Sequence, residues 1–149
     1  MENIDYNRLN KFLSYIHMGN DVFRLYYKHA EKIDNQELKE LIVEIQEVFK
    51  QHEENMTNII KSKGIDPTDS LTIQGKMGVI MENLKIVDNE FSIALDALKA
   101  VNMGEISALK FMYENKTIDE SIINDLKIII TDYDKIKTKI KNYIYTCIQ

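Results

Sequence analysis

Apolar residues recur along this chain at mixed three- and four-residue steps and almost never alternate strictly, so the pattern predicts helices throughout and no sheet. A first helix is expected over about 4–32, with Leu9, Leu13, Ile16, Phe23, Tyr27 and Ala30 on one seam. A second, over about 35–63, carries Leu38, Leu41, Ile45, Phe49, His52, Met56 and Ile59, and Asp34 with Glu37 reads as a capping box between the two. The stretch GIDPTDS, residues 64–70, holds the only proline and a Gly64 suited to a helix C-terminus. Beyond it Leu71, Met77, Ile80, Met81 and Leu84 keep helical spacing, interrupted by Gly75 and Gly78, which predicts a short helix within a crossover over about 64–87. A third long helix follows from about 88 to 115 and a last from about 119 to 147, with Thr117 and Glu120 as a second capping box.

Two helical hairpins, about 4–63 and 88–147, joined by one long connection fit an all-α four-helix bundle with a single crossover. With 149 residues, one domain spanning 1–149 is expected. The halves also resemble each other. At a constant offset of 85, Leu13 meets Leu98, Met18-Gly19 meets Met103-Gly104, Ile33-Asp34 meets Ile118-Asp119, and Leu41, Ile45 and Lys50 meet Leu126, Ile130 and Lys135. That is eight identities over residues 13–52, which reads as a duplicated hairpin.

The duplication draws attention to the polar residues on the seam. Both halves put a polar residue straight after a mid-helix glycine, Asn20 after Gly19 and Glu105 after Gly104. Glycine inside a helix costs roughly 0.5–1 kcal/mol relative to alanine, so its repetition predicts a close approach by a neighbouring helix or bulky side chain. The equivalent pair in the partner helices is His52 and Lys137, so Asn20, His52, Glu105 and Lys137 form the expected buried polar centre. A bundle that binds two metals supplies a Glu from each of two helices and a Glu-x-x-His from each of the others. Against that pattern only His52, Glu105 and Asp134 have ligand chemistry, and no Glu-x-x-His or Asp-x-x-His occurs. These three are the candidate metal ligands, for Fe, Mn or Zn. The alternative is a polar contact that sets helix register, with Lys137 or Tyr133 satisfying Glu105.

Composition narrows the function classes. Apolar residues make up 44% and charged residues 29%, as in a globular chain, and the formal charge of −5 argues against nucleic-acid binding that depends on phosphate neutralisation. No stretch approaches the ~18 apolar residues of a membrane span, and the start has no leader pattern, so a cytoplasmic protein off the membrane is expected. Cys147 is alone, which excludes an internal disulfide while leaving a terminal thiol able to crosslink two chains. The methionines and tyrosines fall at helical spacing and read as packing residues.

The paired hairpins, the IHMGND and VNMGEIS echoes and the linker GIDPTDSLTIQGKMGVIMENLK resemble a bacterial ferritin-like family of four-helix-bundle proteins whose function is not established. The resemblance covers roughly residues 9–116 and implies the fold of ferritins and rubrerythrins, with stress-related or metal-related roles. Glu105 matches the helix carboxylate of the ferritin-like pattern, and Asn20 departs from it. The expected function is a non-enzymatic structural or interaction module with a degenerate metal centre, working with a second copy or another protein. The alternative is a metal-binding, stress-related protein with a reduced site.

Overall fold

A computed structural model describes residues 4–69 and 89–149. Its helices are α1 (Arg8–Lys32), α2 (Gln36–Ser62), α3 (Glu90–Glu114) and α4 (Glu120–Ile148), and among the described residues there is no strand. The all-helical expectation holds, with each of the four long helices within a few residues of its predicted bounds. The short helix expected over 71–84 lies outside the described residues.

The helix ends follow backbone chemistry, and two of them differ from the predicted caps. Asp34 sits in the left-handed region, with φ 54°. Its N–H donates to the Glu31 carbonyl and that of Asn35 to the Ala30 carbonyl, which is the bonding of a Schellman turn. Asp34 therefore closes α1, and Asn35 caps α2 by accepting from the Leu38 N–H. The second predicted box also moves: the residue before α4 is Asp119, whose carboxylate accepts from Tyr6 and Lys63 instead of from its own helix. Gly64 ends α2 as expected, with φ 73° and the same two Schellman bonds.

α1 packs against α2 and α3, and α4 against α3 and α2. Every adjacent pair is antiparallel. Phe12 meets Phe111 and Tyr26 meets the Asp96 carbonyl along α1–α3, while Glu44 pairs with Lys139 and His52 with Asp132 along α2–α4. The helices thus run up, down, down and up, so α2 ends and α3 begins at opposite ends of the bundle.

The core is built from the predicted seams with small rotations. Leu9, Leu13, Ile16, Phe23 and Ala30 are buried as expected, while Tyr26 is buried in place of Tyr27. On α2 Leu38, Ile45, Phe49, His52 and Met56 are buried as expected, while Ile42 and Ile60 are buried in place of the half-buried Leu41 and Ile59. Each residue turns the helix by about 100°, so a seam read from spacing alone can sit one position off the true inward direction.

The two helical glycines have the packing reason their repetition predicted. A Cβ on Gly19 would lie 2.6 Å from the Phe49 ring, and one on Gly104 would lie 3.2 Å from the Tyr133 ring. Phe49 and Tyr133 meet edge to face at 5.5 Å, and Phe23 packs on Phe49 at 5.0 Å. Both rings are almost fully buried, so neither has room to retreat.

The difference between the two clearances generates an asymmetric prediction. Gly19→Ala should destabilise the fold by about 1–3 kcal/mol, the usual range for overpacking. In Gly104→Ala the milder clash is offset by the alanine helix preference of roughly 0.5–1 kcal/mol, giving a near-neutral change. Denaturant titration of both variants checks this, and a Phe49→Leu background should shrink the Gly19→Ala cost; equal costs at the two positions would contradict it.

Candidate functional site

A belt of polar side chains surrounds the central rings at mid-height, divided among three seams of the bundle. On the α1–α2 seam the Asn20 amide donates to Glu53 Oε2 at 2.5 Å. His17 Nδ1 lies 3.6 Å from the same oxygen, and His17 Nε2 lies 2.8 Å from the Thr68 carbonyl. A carbonyl only accepts, so the His17 Nε2 carries a proton. Asp21, also buried, accepts from Arg24 on Oδ1 while its Oδ2 has no hydrogen-bond partner. These groups line a groove of about 350 Å³ with Gln46 and Lys50.

On the α3–α4 seam Lys137 donates to Glu105, and Asp134 lies 3.5 Å from the same ammonium. The Glu105 and Lys137 side chains are only 14% and 16% exposed, against 61% for Asp134. The hydrogen bond to Glu105 raises the Lys137 pKa above the ordinary lysine value, outweighing the opposite effect of burial, so this is a true ion pair.

On the α2–α4 seam His52 Nε2 donates to Asp132 Oδ2 at 2.9 Å, and the imidazole packs at 5.3 Å against the Tyr133 ring. Its Nδ1 is buried without a hydrogen-bond partner. Burial lowers the His52 pKa, and the neighbouring Asp132 opposes the shift without cancelling it. His52 and Asp132 stand at the wall of a groove of about 560 Å³ whose described lining includes no serine, threonine or cysteine. An imidazole–carboxylate pair beside a groove can orient a proton, and Asp125 is the other carboxylate in the described lining.

The sequence placed Asn20, His52, Glu105 and Lys137 in one centre. The fold separates them: Glu105 and Lys137 pair with each other, Asn20 pairs with Glu53, and His52 with Asp132. The structural reason is a change of register between the halves. Gly19 and Gly104 correspond at the offset of 85, but their facing rings, Phe49 and Tyr133, correspond at 84, as do Glu53 and Lys137. Lys137 is thus the counterpart of Glu53, and the contact repeated in both halves is the residue after the glycine bonding across to the partner helix.

The candidate ligands His52, Glu105 and Asp134 are likewise divided between seams. Among the described residues no three His, Cys, Asp or Glu side chains are grouped so as to hold a metal ion. Glu53, Asp132, His17 and Asp21 were missed in the sequence reading. A scan for acidic residues one helical turn past each ring would have found Glu53, whereas nothing in the sequence marks Asp132 as the partner of His52. Among the described residues no helix is long and apolar enough to cross a membrane. No protein-family model, curated protein or solved structure matches the chain.

Two outcomes follow from this geometry. His52 and His29 both have folded pKa values lowered chiefly by burial, so as pH falls the unfolded chain takes up their protons first. Their contribution to stability is complete above the unfolded histidine value near 6.5 and is lost as pH falls through the folded values. Stability measured from pH 7.5 to 5 should therefore decline, and less steeply in His52→Gln with His29→Gln; an unchanged slope would contradict the assignment. Lys137→Met, which strands the Glu105 carboxylate, should cost about 1–3 kcal/mol, and adding Glu105→Leu should recover much of it in thermal melts.

Proposed function

We propose that this chain is a ferritin-like four-helix bundle whose polar centre is closed by its own ion pairs, and that it works as a non-enzymatic module through association with other protein chains. The up-down-down-up order, with consecutive hairpins entered from opposite ends of the bundle, supports the ferritin-like reading, because a single long crossover distinguishes that arrangement from an up-and-down bundle.

The observation that carries the closed-centre reading is the Glu105–Lys137 pair. Glu105 is the one carboxylate that matches the ferritin-like pattern, and the Lys137 ammonium stands where a cation would need to bind it. The residues present do not suit a shared metal ion: Asp134 is exposed and turned to the same ammonium, and His52 is engaged on another seam by Asp132. A metal bound by Glu105 would have to displace the Lys137 ammonium, whose side chain is 16% exposed.

The test is elemental analysis and thermal melting of untagged protein offered Fe(II), Mn(II) or Zn(II) without oxygen. The expected outcome is no retained ion and no rise in Tm. One or two ions held per chain, with a Tm rise that disappears in Glu105→Ala, would overturn the closed-centre reading in favour of a reduced metal site.

A further inference from the structure

The α2–α4 groove has two walls of different chemistry. Seven residues separate Asp125 from Asp132 on α4, a rise of about 10.5 Å that brings both carboxylates to one face of the helix within about 20°. The α2 wall presents the carboxamides of Gln51, Asn55 and Asn58, which also span seven residues. Because His52 meets Asp132 and the two helices are antiparallel, a step of seven residues on in α2 and back in α4 brings Ile59, and beside it Asn58, level with Asp125. The groove therefore runs lengthwise along the seam, with a carboxylate at each end and Met56, Ile128 and Ile129 between them.

This layout restricts what the groove can hold. A volume of about 560 Å³ lies within the range of small-molecule sites. No lysine or arginine stands in the described lining, so on a chain of net charge −5 the groove favours cations. Carboxylates about 10 Å apart along a helix do not share one metal ion, whose oxygen ligands lie within about 2.6 Å of it. They suit two positive charges carried at a distance by one molecule. Neither carboxylate is already neutralised by a lysine or arginine: Asp125 makes no hydrogen bond or ion pair among the described residues, and Asp132 accepts from His52 on Oδ2 alone. The His52 side chain, 4% exposed, holds Asp132 at the wall while its own Nδ1 stays unpartnered. Between the charges, the apolar floor suits methylene groups, and the carboxamide oxygens can accept from an amine in mid-chain.

We propose that the α2–α4 groove binds an aliphatic polyamine, laid lengthwise with its terminal ammoniums on Asp125 and Asp132 and its methylenes on Met56, Ile128 and Ile129. This site is separate from the Glu105–Lys137 pair on the α3–α4 seam, so each can fail without the other.

Isothermal titration calorimetry on the full chain tests it with two probes: spermidine, long enough for its terminal ammoniums to reach both carboxylates, and 1,4-diaminobutane, which reaches only one. Spermidine should bind one per chain with a Kd of about 10–100 μM, and the shorter diamine about tenfold more weakly. Asp125→Asn, and separately Asp132→Asn, which keeps an acceptor for His52, should each weaken spermidine binding by about tenfold and remove most of its advantage over the diamine. Glu31→Gln, at an exposed position on α1, should change nothing. A wild-type chain with no saturable binding at millimolar spermidine overturns the proposal. Equal affinities for the two amines overturn the bridging of the two carboxylates. A loss in Glu31→Gln that matches the loss in Asp125→Asn assigns the binding to net charge and overturns the groove as its site.

Discussion

Two aromatic rings driven into two bare helix turns set the spacing of everything else in this bundle. Phe49 occupies the space a side chain at position 19 would need, Tyr133 does the same at position 104, and the rings touch each other in the core. Each contact joins the two helices of one hairpin, and the ring-to-ring contact joins α2 to α4. Because buried rings can be neither compressed nor solvated, their positions set how closely the hairpins approach. They also set which residues fall on the seams one turn away.

The polar belt follows from that arrangement. The residue after each glycine is carried to the rim of the helix pair, where it meets a side chain four residues beyond the ring: Glu53 for Asn20, and Lys137 for Glu105. One geometry thus serves two chemistries, an amide–carboxylate contact in the first hairpin and an ion pair in the second. His52 lies three residues beyond Phe49 and turns to the third seam, where Asp132 receives it. A charge partly withdrawn from water favours a fixed partner, so each contact also favours one helix register, whatever its net contribution to stability.

The ends of the bundle are held by different means. At the end where α2 stops, Asp119 accepts from Tyr6 and Lys63, and the Lys63 ammonium lies over the Tyr6 ring, so the segment before α1, the end of α2 and the start of α4 are tied together. Lys63, followed by Tyr6, holds the Asp119 carboxyl below its ordinary pKa. At the other end the α1–α2 turn is closed by backbone bonds, the Asn35 side-chain cap and the Lys39–Asp34 pair, with Asp34 in a conformation that glycine adopts more easily.

The sequence by itself determined the helical class, the limits of the four long helices, the Gly64 stop and the presence of something bulky against each helical glycine. All of these depend on local spacing and backbone preference, which a linear pattern carries. It also offered Lys137, beside Tyr133, as a partner for Glu105, because a carboxylate on the buried seam must pair; the structure chose Lys137. Only the tertiary structure decided that Asp34 closes α1, that Asn20 bonds Glu53, that His52 belongs to Asp132, and that His52, Glu105 and Asp134 are divided between seams. Those outcomes turn on the rotation of one helix against another, where a shift from 85 to 84 residues swings a side chain by about 100° and replaces one partner with the next.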